Sequence, residues 1–168
     1  AVRQSFGPPD KVVWYERPML KSFRQLYAGQ GWLFKENNIK KYLAKWGIDC
    51  PIEYVQHHHS HAAYGYYTSG MNDASIICID SIGEFETLTM WKGWGDKLQK
   101  VNSQRYPNSL GLWYSAMTQR LGYEANKDEY VISKLAPKGD KFRYEQEIMH
   151  DFFEVSYNPL CNIEIKIN

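Results

Sequence analysis

The chain has 168 residues, of which 43% are hydrophobic and 23% are charged, and its net charge is +1. This size and mixed charge are typical of one globular domain with a sizeable core. The small net charge argues against nucleic-acid binding as the main task, and the longest apolar run, residues 76–79, is far short of the roughly 20 residues of a membrane-spanning helix.

The first third of the chain predicts short strands alternating with helices. Each helical pattern ends at or near a glycine, namely Gly29, Gly47 and Gly70, and glycine is the usual residue after a helix. The expected elements are a strand at 11–15, helices at 18–28 and 36–46, a strand at 52–55, and a helix from 57 to about 68.

A locally connected β-region follows. A strand is expected at 74–80, where the apolar residues 76–79 lead to Asp80, which suits a strand buried on both faces. Residues 81–83 are expected to form a tight turn. Two further strands, at 85–91 and about 98–103, with a turn at 93–96 between them, would complete a meander.

The remainder favours helices. Asn108 is the expected N-cap of a helix over 109–121. A shorter helix is expected after the polar residues 126–130, with its end marked by residues 136–139, and another helix is expected over 141–153. Isoleucines that alternate with charged residues predict a final half-buried strand at 162–168.

Four of the five histidines fall within the third predicted helix, at 57, 58, 59 and 61. In a helix, His57 and His61 lie one turn apart on one face, so their neutral imidazoles could share a metal ion and leave its other positions for substrate. The same spacing also fits a packed, hydrogen-bonded pair or a solvated one. His58 stands where zinc peptidases of the His-Glu-x-x-His type have glutamate, which disfavours that class.

Asp80 is the second chemical feature. A carboxylate at the end of a buried strand is costly unless a cation pairs with it, and Gly83 would let backbone amides approach an anion closely. An ordinary hairpin, in which Asp80 bonds its own turn, explains the same residues. The local sequence leaves both interpretations open.

Cysteine usage and the chain ends bear on the cellular setting. Cys50, Cys78 and Cys161 are widely spaced and odd in number, which favours a reducing cytoplasm over a disulfide framework or a zinc ribbon. The chain begins without methionine and without a signal-peptide pattern, and it ends in a strand pattern. We therefore expect a fragment of a longer cytoplasmic protein.

Five motifs occur in order between about residues 12 and 140. They are VWYERP at 13–18, HHHSHAA at 57–63, DSIGE at 80–84, NSLGLWYSA at 108–116, and EY at 129–130 followed by LAPKG at 135–139. Together they resemble the ordered motifs of the carbamoyltransferases that modify nodulation factors, cephalosporins and aminoglycosides. Five motifs in the right order are far more specific than any one of them.

The resemblance implies an α/β fold of the actin-like, sugar-kinase-like ATPase type, which is ribonuclease H-like. Residues 1–168 would be an internal fragment of the N-terminal catalytic domain, without the C-terminal adenylate-forming domain. Carbamoyl phosphate and ATP would give carbamoyl adenylate, and the catalytic domain would transfer the carbamoyl group to a hydroxyl of a small-molecule or sugar acceptor.

The resemblance also implies site residues. It places a divalent metal ion, Fe²⁺ or alternatively Zn²⁺ or Mn²⁺, which would hold the nucleotide, on His57, His61 and Asp80. It assigns phosphate binding to the backbone amides of Ser81, Ile82, Gly83 and Glu84, and the neighbourhood of the ribose to Asn126 and Glu129. A divalent ion could stabilise the charge that develops on a carbamoyl oxygen. The general base and the acceptor are not identified by the sequence.

Three alternatives remain at this point. They are a threonylcarbamoyl-type transferase acting on tRNA, another metal-dependent enzyme such as a hydrolase, and a non-catalytic nucleotide-binding fragment. A downstream adenylate-forming domain in the parent gene would favour transfer to a small molecule, and its absence would favour the tRNA or binding alternatives.

Overall fold

The computed structural model describes residues 7–27, 29, 37–156 and 162–165. Helices and strands both occur, which confirms a mixed α/β protein. The chain divides into two compact units: unit 1 comprises residues 1–76, 83–85 and 93–98, and unit 2 comprises residues 77–82, 86–92 and 99–168. None of the described helices is long and apolar enough to cross a bilayer.

The described residues of unit 1 include a two-stranded parallel sheet and three helices. Strand β1 (Val12–Trp14) pairs with β2 (Ile52–Tyr54), with Val12 opposite Ile52. The helices are α1 (Pro18–Tyr27), α2 (Ile39–Ala44) and α3 (His57–Ser69). These elements confirm the predicted order of the first third of the chain.

Helix α2 is shorter than the predicted 36–46, because the chain supplies a cap inside that range. The side chain of Asn38 accepts a hydrogen bond of 3.0 Å from the amide of Lys41, which fixes the start of the helix at Ile39. Residues 28 and 36 of the predicted helices lie outside the described residues.

The meander is confirmed as a three-stranded sheet in the order β3 (Asp73–Gly83), β4 (Glu86–Trp94) and β5 (Lys97–Arg105). The expected tight turn at 81–83 is wrong, because β3 continues through Gly83 and the turn falls on Glu84 and Phe85. The expected burial of β3 on both faces is also wrong: Ile77 and Ile79 are 61% and 56% exposed, whereas Cys78 between them is 9% exposed. The strand therefore follows the alternation of a half-buried strand.

Unit 2 adds helices α4 (Leu110–Arg120), α5 (Glu129–Leu135) and α6 (Glu145–Phe152), with a 3₁₀ turn at Ala136–Lys138. Strand β6 (Phe153–Ser156) pairs antiparallel with β7 (Asn162–Ile165). Helix α6 starts later than the predicted residue 141. Residues 166–168 of the predicted final strand lie outside the described residues.

The N-cap of α4 is Ser109 and not the predicted Asn108. The hydroxyl of Ser109 accepts a hydrogen bond of 3.1 Å from the amide of Leu112. Asn108 is used elsewhere, since its side-chain oxygen accepts from the amide of Ile165 at 3.2 Å. Both residue types cap helices well, so the remaining contacts of each side chain decide between them.

Each unit has its own buried side chains. In unit 1 the apolar ones are Ile39, Leu43, Ala62 and Tyr66, and in unit 2 they are Cys78, Leu88, Trp91 and Phe153. The ring of Trp113 lies edge-on to that of Phe153, with the centroids 4.8 Å apart. This contact packs α4 against the start of β6 within unit 2.

Candidate functional site

Helix α3 is oriented by three buried side chains. His58, Ala62 and Tyr66 repeat every four residues and are 1%, 0% and 2% exposed. They form one face of the helix, which is fixed against the protein. The neighbouring face carries His57 and His61, so burial of the first face positions the second.

The imidazoles of His57 and His61 meet at their Nε2 atoms, which are 3.0 Å apart. The side chain of His57 is 16% exposed, and that of His61 is exposed. The pair therefore lies at the protein surface, with the ring of His57 partly buried. If one Nε2 carries a proton, the contact is a hydrogen bond. If neither does, two lone pairs point at a shared position, which is the arrangement that a metal ion would use.

Gly83 brings the end of β3 against the histidine helix within unit 1. A Cβ at this position would lie 2.5 Å from Cδ2 of His57 and 2.6 Å from Cδ2 of His58. These distances are far below van der Waals contact, so a side chain does not fit. The glycine is therefore required by close packing against the two rings and not by a turn.

Glu84 follows with a positive φ of 59° and is 7% exposed. Its carboxylate accepts hydrogen bonds from Nε and Nη2 of Arg17 and, at 2.6 Å, from the backbone amide of Arg17. This clamp offsets the backbone strain and ties the turn to the start of α1. The carboxylate is thus neutralised by a cation, while the backbone of the turn is held in one conformation.

Glu16, the residue before Arg17, is 6% exposed. One of its oxygens, Oε1, accepts from Nζ of Lys21 at 2.6 Å. The other oxygen, Oε2, lies 3.9 Å from Nδ1 of His57. The buried carboxylate of Glu16 therefore lies between Nζ of Lys21 and Nδ1 of His57, the ring nitrogen that does not contact His61.

In unit 2, Asp80 and Ser81 are fixed to the start of α4. The carboxylate of Asp80 accepts from the amide of Ser81 at 2.7 Å, and the hydroxyl of Ser109 donates to the carbonyl of Ser81 at 2.5 Å. A Cβ on Gly111 would lie 2.6 Å from Cα of Ser81, so only glycine allows the helix to approach this closely. These contacts hold residues 80–81 of β3 against the N-terminus of α4.

Glu129, at the start of α5, is held by neutral donors. Its Oε1 accepts from the hydroxyl of Ser115 and from the amide of Asn126, each at 2.6 Å. The Ser115 hydrogen bond is the largest cause that lowers the pKa of Glu129 below its ordinary value of 4.5, and desolvation opposes it. Asn126 has a φ of 64°, so the loop before α5 is shaped to deliver its amide to this carboxylate.

The structure groups the predicted site residues by unit. His57, His61, Gly83 and Glu84 belong to unit 1, and Asp80, Ser81, Ile82, Asn126 and Glu129 belong to unit 2. Five residues that support them were not predicted as site residues: Glu16, Arg17, Lys21, Ser109 and Ser115. The signal for Glu16 and Arg17 was available, because both are charged and directly follow an apolar strand pattern.

Comparisons with known proteins identify a family and several relatives. A family model described as the carbamoyltransferase N-terminus matches residues 17–162. The uncharacterized protein sll1178 of Synechocystis is 34% identical in a comparison that covers 78% of this chain and 25% of that protein.

Two nodulation proteins are also similar. NolNO of Sinorhizobium fredii is 34% identical over 111 residues, covering 66% of this chain and 15% of that protein. NolO of Bradyrhizobium diazoefficiens is 35% identical over 101 residues, covering 60% of this chain and 18% of that protein. The chain thus spans about a quarter or less of the length of these relatives. Because the family model covers most of its residues, the chain belongs to the carbamoyltransferase family, in the part described as the N-terminus of these proteins.

Proposed function

We propose that this protein acts in O-carbamoyl transfer. The donor is carbamoyl adenylate, made from carbamoyl phosphate and ATP, and the acceptor is a hydroxyl of a small molecule or sugar. The catalytic domain has the actin-like ATPase fold. The observation that carries the proposal is the 3.0 Å separation of the Nε2 atoms of His57 and His61 in a chain of this family.

The histidine pair fits a divalent metal ion. Two nitrogens about 2.1 Å from one ion are about 3.0 Å apart when they subtend a right angle, and about 3.4 Å apart at the tetrahedral angle. The observed separation is close to the first value. Nitrogen ligands combined with a carboxylate suit Fe²⁺, Zn²⁺ and Mn²⁺.

Asp80 is proposed as the third ligand beside His57 and His61. Two observations support the assignment. Asp80 lies three residues before Gly83 on the same strand, so the chain between them spans roughly 10 Å at most. Gly83 in turn approaches the ring of His57 closely. A carboxylate also supplies the negative charge that two neutral imidazoles lack.

The reaction forms one bond and breaks one. The acceptor hydroxyl oxygen bonds to the carbamoyl carbon, the bond between that carbon and the phosphate oxygen breaks, and AMP leaves with the electron pair while the hydroxyl proton passes to a base. A bound divalent ion would polarise the carbamoyl oxygen and orient the phosphate. The residues of the chain hold the reactants in place.

Two parts of the chain are proposed to hold the nucleotide. Backbone amides in residues 81–84 bind phosphate. The carboxylate of Glu84 would repel this anion, but the guanidinium of Arg17 neutralises it. Asn126 and Glu129 lie near the ribose. Because Glu129 is held by neutral donors, it keeps its charge and can accept hydrogen bonds from sugar hydroxyls.

Metal analysis tests the site. The protein is loaded anaerobically with Fe²⁺, Zn²⁺ or Mn²⁺, dialysed and analysed by plasma mass spectrometry. About one ion per chain is expected, and the double variant His57→Ala, His61→Ala should bind none. The matched control is His59→Ala, since this histidine lies on the same helix about 200° away from His57 and should leave metal content unchanged. Equal metal content in the double variant would overturn the site.

A transfer assay tests the reaction. The full-length protein that contains this chain is loaded with metal and incubated with carbon-14 carbamoyl phosphate, ATP and a panel of sugars and other hydroxyl compounds, and labelled products are separated by chromatography. Label in an acceptor ester, lost in the double histidine variant, is the expected result. Release of labelled carbamate by wild-type protein without an acceptor product would instead favour a hydrolase.

A further inference from the structure

The ring of His57 lies between two different partners in unit 1. Its Nε2 lies 3.0 Å from Nε2 of His61, and its Nδ1 lies 3.9 Å from Oε2 of Glu16. Tyr15 stands edge-on to the same ring, with the centroids 5.7 Å apart, and Gly83 contacts its Cδ2 side. The ring is thus confined from several directions, and its two nitrogens have separate environments.

From this geometry we infer that Glu16 is a positioning residue, which selects the tautomer of His57 that can bind a metal ion. A neutral imidazole carries one proton, on Nδ1 or on Nε2. Only the Nδ1–H form leaves a lone pair on Nε2, where His61 also points. An anionic acceptor beside Nδ1 favours that form. The inference rests on the proposed metal site and adds a residue that does not touch the ion.

The gap between Glu16 and His57 is compatible with this role. At 3.9 Å the contact is longer than a hydrogen bond. A ring movement of about 1 Å, or one bridging water, would close it. The carboxylate itself has little freedom to move away, because its other oxygen is held by Lys21 at 2.6 Å and its side chain is 8% exposed.

The burial of Glu16 is also informative. A buried carboxylate is costly, and a surface ion pair with Lys21 would give the same charge neutralisation without that cost. Burial does, however, strengthen the field of the carboxylate at the nearby imidazole, because fewer waters screen it. The position therefore suits a carboxylate that acts on His57 and not only on Lys21.

Nitrogen-15 NMR of metal-free protein tests the tautomer directly. Spectra are recorded on the full chain at about pH 8.5, where a free imidazole is neutral. In wild-type protein, His57 should show a protonated Nδ1 and a bare Nε2. In Glu16→Ala and Glu16→Gln the Nε2–H form should increase. An unchanged tautomer in both variants would overturn the inference.

Metal affinity supplies a second readout. Cobalt(II) is titrated into each protein in competition with a chelator and followed by its absorption bands. Both Glu16 variants should bind the ion 10- to 100-fold more weakly than wild type, the usual effect of removing a carboxylate partner from a metal-binding histidine. Wild-type affinity in both variants would overturn the inference.

The control is Ser22→Ala. Ser22 lies in α1 next to Lys21 and is 1% exposed, and its hydroxyl oxygen accepts a hydrogen bond from Nδ2 of Asn37 at 2.8 Å rather than from a histidine. This variant should lower thermal stability and leave both the His57 tautomer and cobalt affinity unchanged. If it weakens cobalt binding as much as Glu16→Gln does, the effect of Glu16 is structural and the inference fails. If wild-type protein binds no cobalt, the proposed metal site is wrong as well. If wild-type protein binds cobalt and the Glu16 variants bind it equally well, only the role of Glu16 is wrong.

Discussion

The carboxylates around the predicted site residues are held in different ways in the two units, although Glu86 of unit 2, which is not a predicted site residue, also pairs with a cation, Lys100. In unit 1, Glu16 and Glu84 are each paired with a cation, Lys21 and Arg17. In unit 2, Glu129 is held by a hydroxyl and a backbone amide. A cation cancels the charge of the carboxylate, whereas a neutral donor stabilises the charge and leaves it in place.

The difference separates two tasks. In unit 1 the acidic side chains support the backbone and the imidazoles, and their cation partners cancel their charge, which suits the proposed binding of phosphate at residues 81–84. In unit 2, Glu129 keeps its charge, which suits its proposed position near the ribose. One substitution tests the packing that positions the histidines of unit 1, and two probe the contrast itself, from the largest expected effect to the smallest.

Gly83→Ala tests whether the histidine helix depends on close packing. The added Cβ would collide with the rings of His57 and His58, and His58 is too buried to move away. We expect a loss of about 3 kcal/mol in the free energy of unfolding, the upper part of the range for overpacked sites, measured by urea denaturation.

The matched control for this change is Gly65→Ala. Gly65 lies within α3 and a Cβ there meets nothing within 4 Å. Replacing a helical glycine by alanine at an open position should stabilise the protein by about 0.5–1 kcal/mol. Equal effects of the two substitutions would show that the contact at Gly83 is not close.

Arg17→Met tests the cation pairing of unit 1. It leaves the Glu84 carboxylate, 6% exposed, with the Arg17 backbone amide but without the guanidinium. Losing hydrogen bonds to a charged group should cost about 1.5–3 kcal/mol of unfolding free energy in urea titrations. Lys11→Met is the control, because the Lys11–Glu53 pair is more than half exposed and should contribute under about 1 kcal/mol. Similar losses in both variants would contradict a buried clamp.

Ser115→Ala tests the neutral donors of unit 2. A carboxyl group with a lowered pKa stabilises the fold above its ordinary value of 4.5, and this contribution is lost as the pH falls through the lower folded-state pKa. Without the Ser115 hydroxyl, the pKa of Glu129 should rise towards 4.5, so this contribution should become smaller and its loss should be complete at a higher pH. The pKa of Glu129 is measured by carbon-13 NMR titration of its side-chain carboxyl.

Ser133→Ala is the control for that titration. Its hydroxyl donates to the backbone carbonyl of Glu129 at 3.1 Å and does not reach the carboxylate. The pKa of Glu129 should therefore stay at its wild-type value. A rise as large as that in Ser115→Ala would mean that the fold of α5, and not the hydrogen bond, controls the titration.

Local sequence patterns predicted helix α3 well, because its determinants are local. Its start after Gln56, its end at Gly70 with a φ of 73°, and the spacing of His57 and His61 are all set within one turn or at a terminus. Local patterns did not determine whether His57 and His61 bind a metal ion, because a hydrogen-bonded pair of histidines has the same spacing.

Gly83 and Asn108 show where local patterns fail. A glycine after apolar residues predicts a turn, but here it is needed by the rings of His57 and His58, which are distant in sequence. Asn and Ser are nearly equal as N-caps, and the choice of Ser109 follows from its hydrogen bond to the carbonyl of Ser81. Both outcomes depend on contacts between elements.

The sequence by itself determined the family motifs, the order of most helices and strands, and the histidine pair on one helical face. These features follow from short-range periodicity and from residue identity. Only the tertiary structure decided that Glu16 faces His57, that Arg17 neutralises Glu84 and that Ser115 holds Glu129. Burial and pairing of charges depend on which distant segments meet, and no local spacing specifies that.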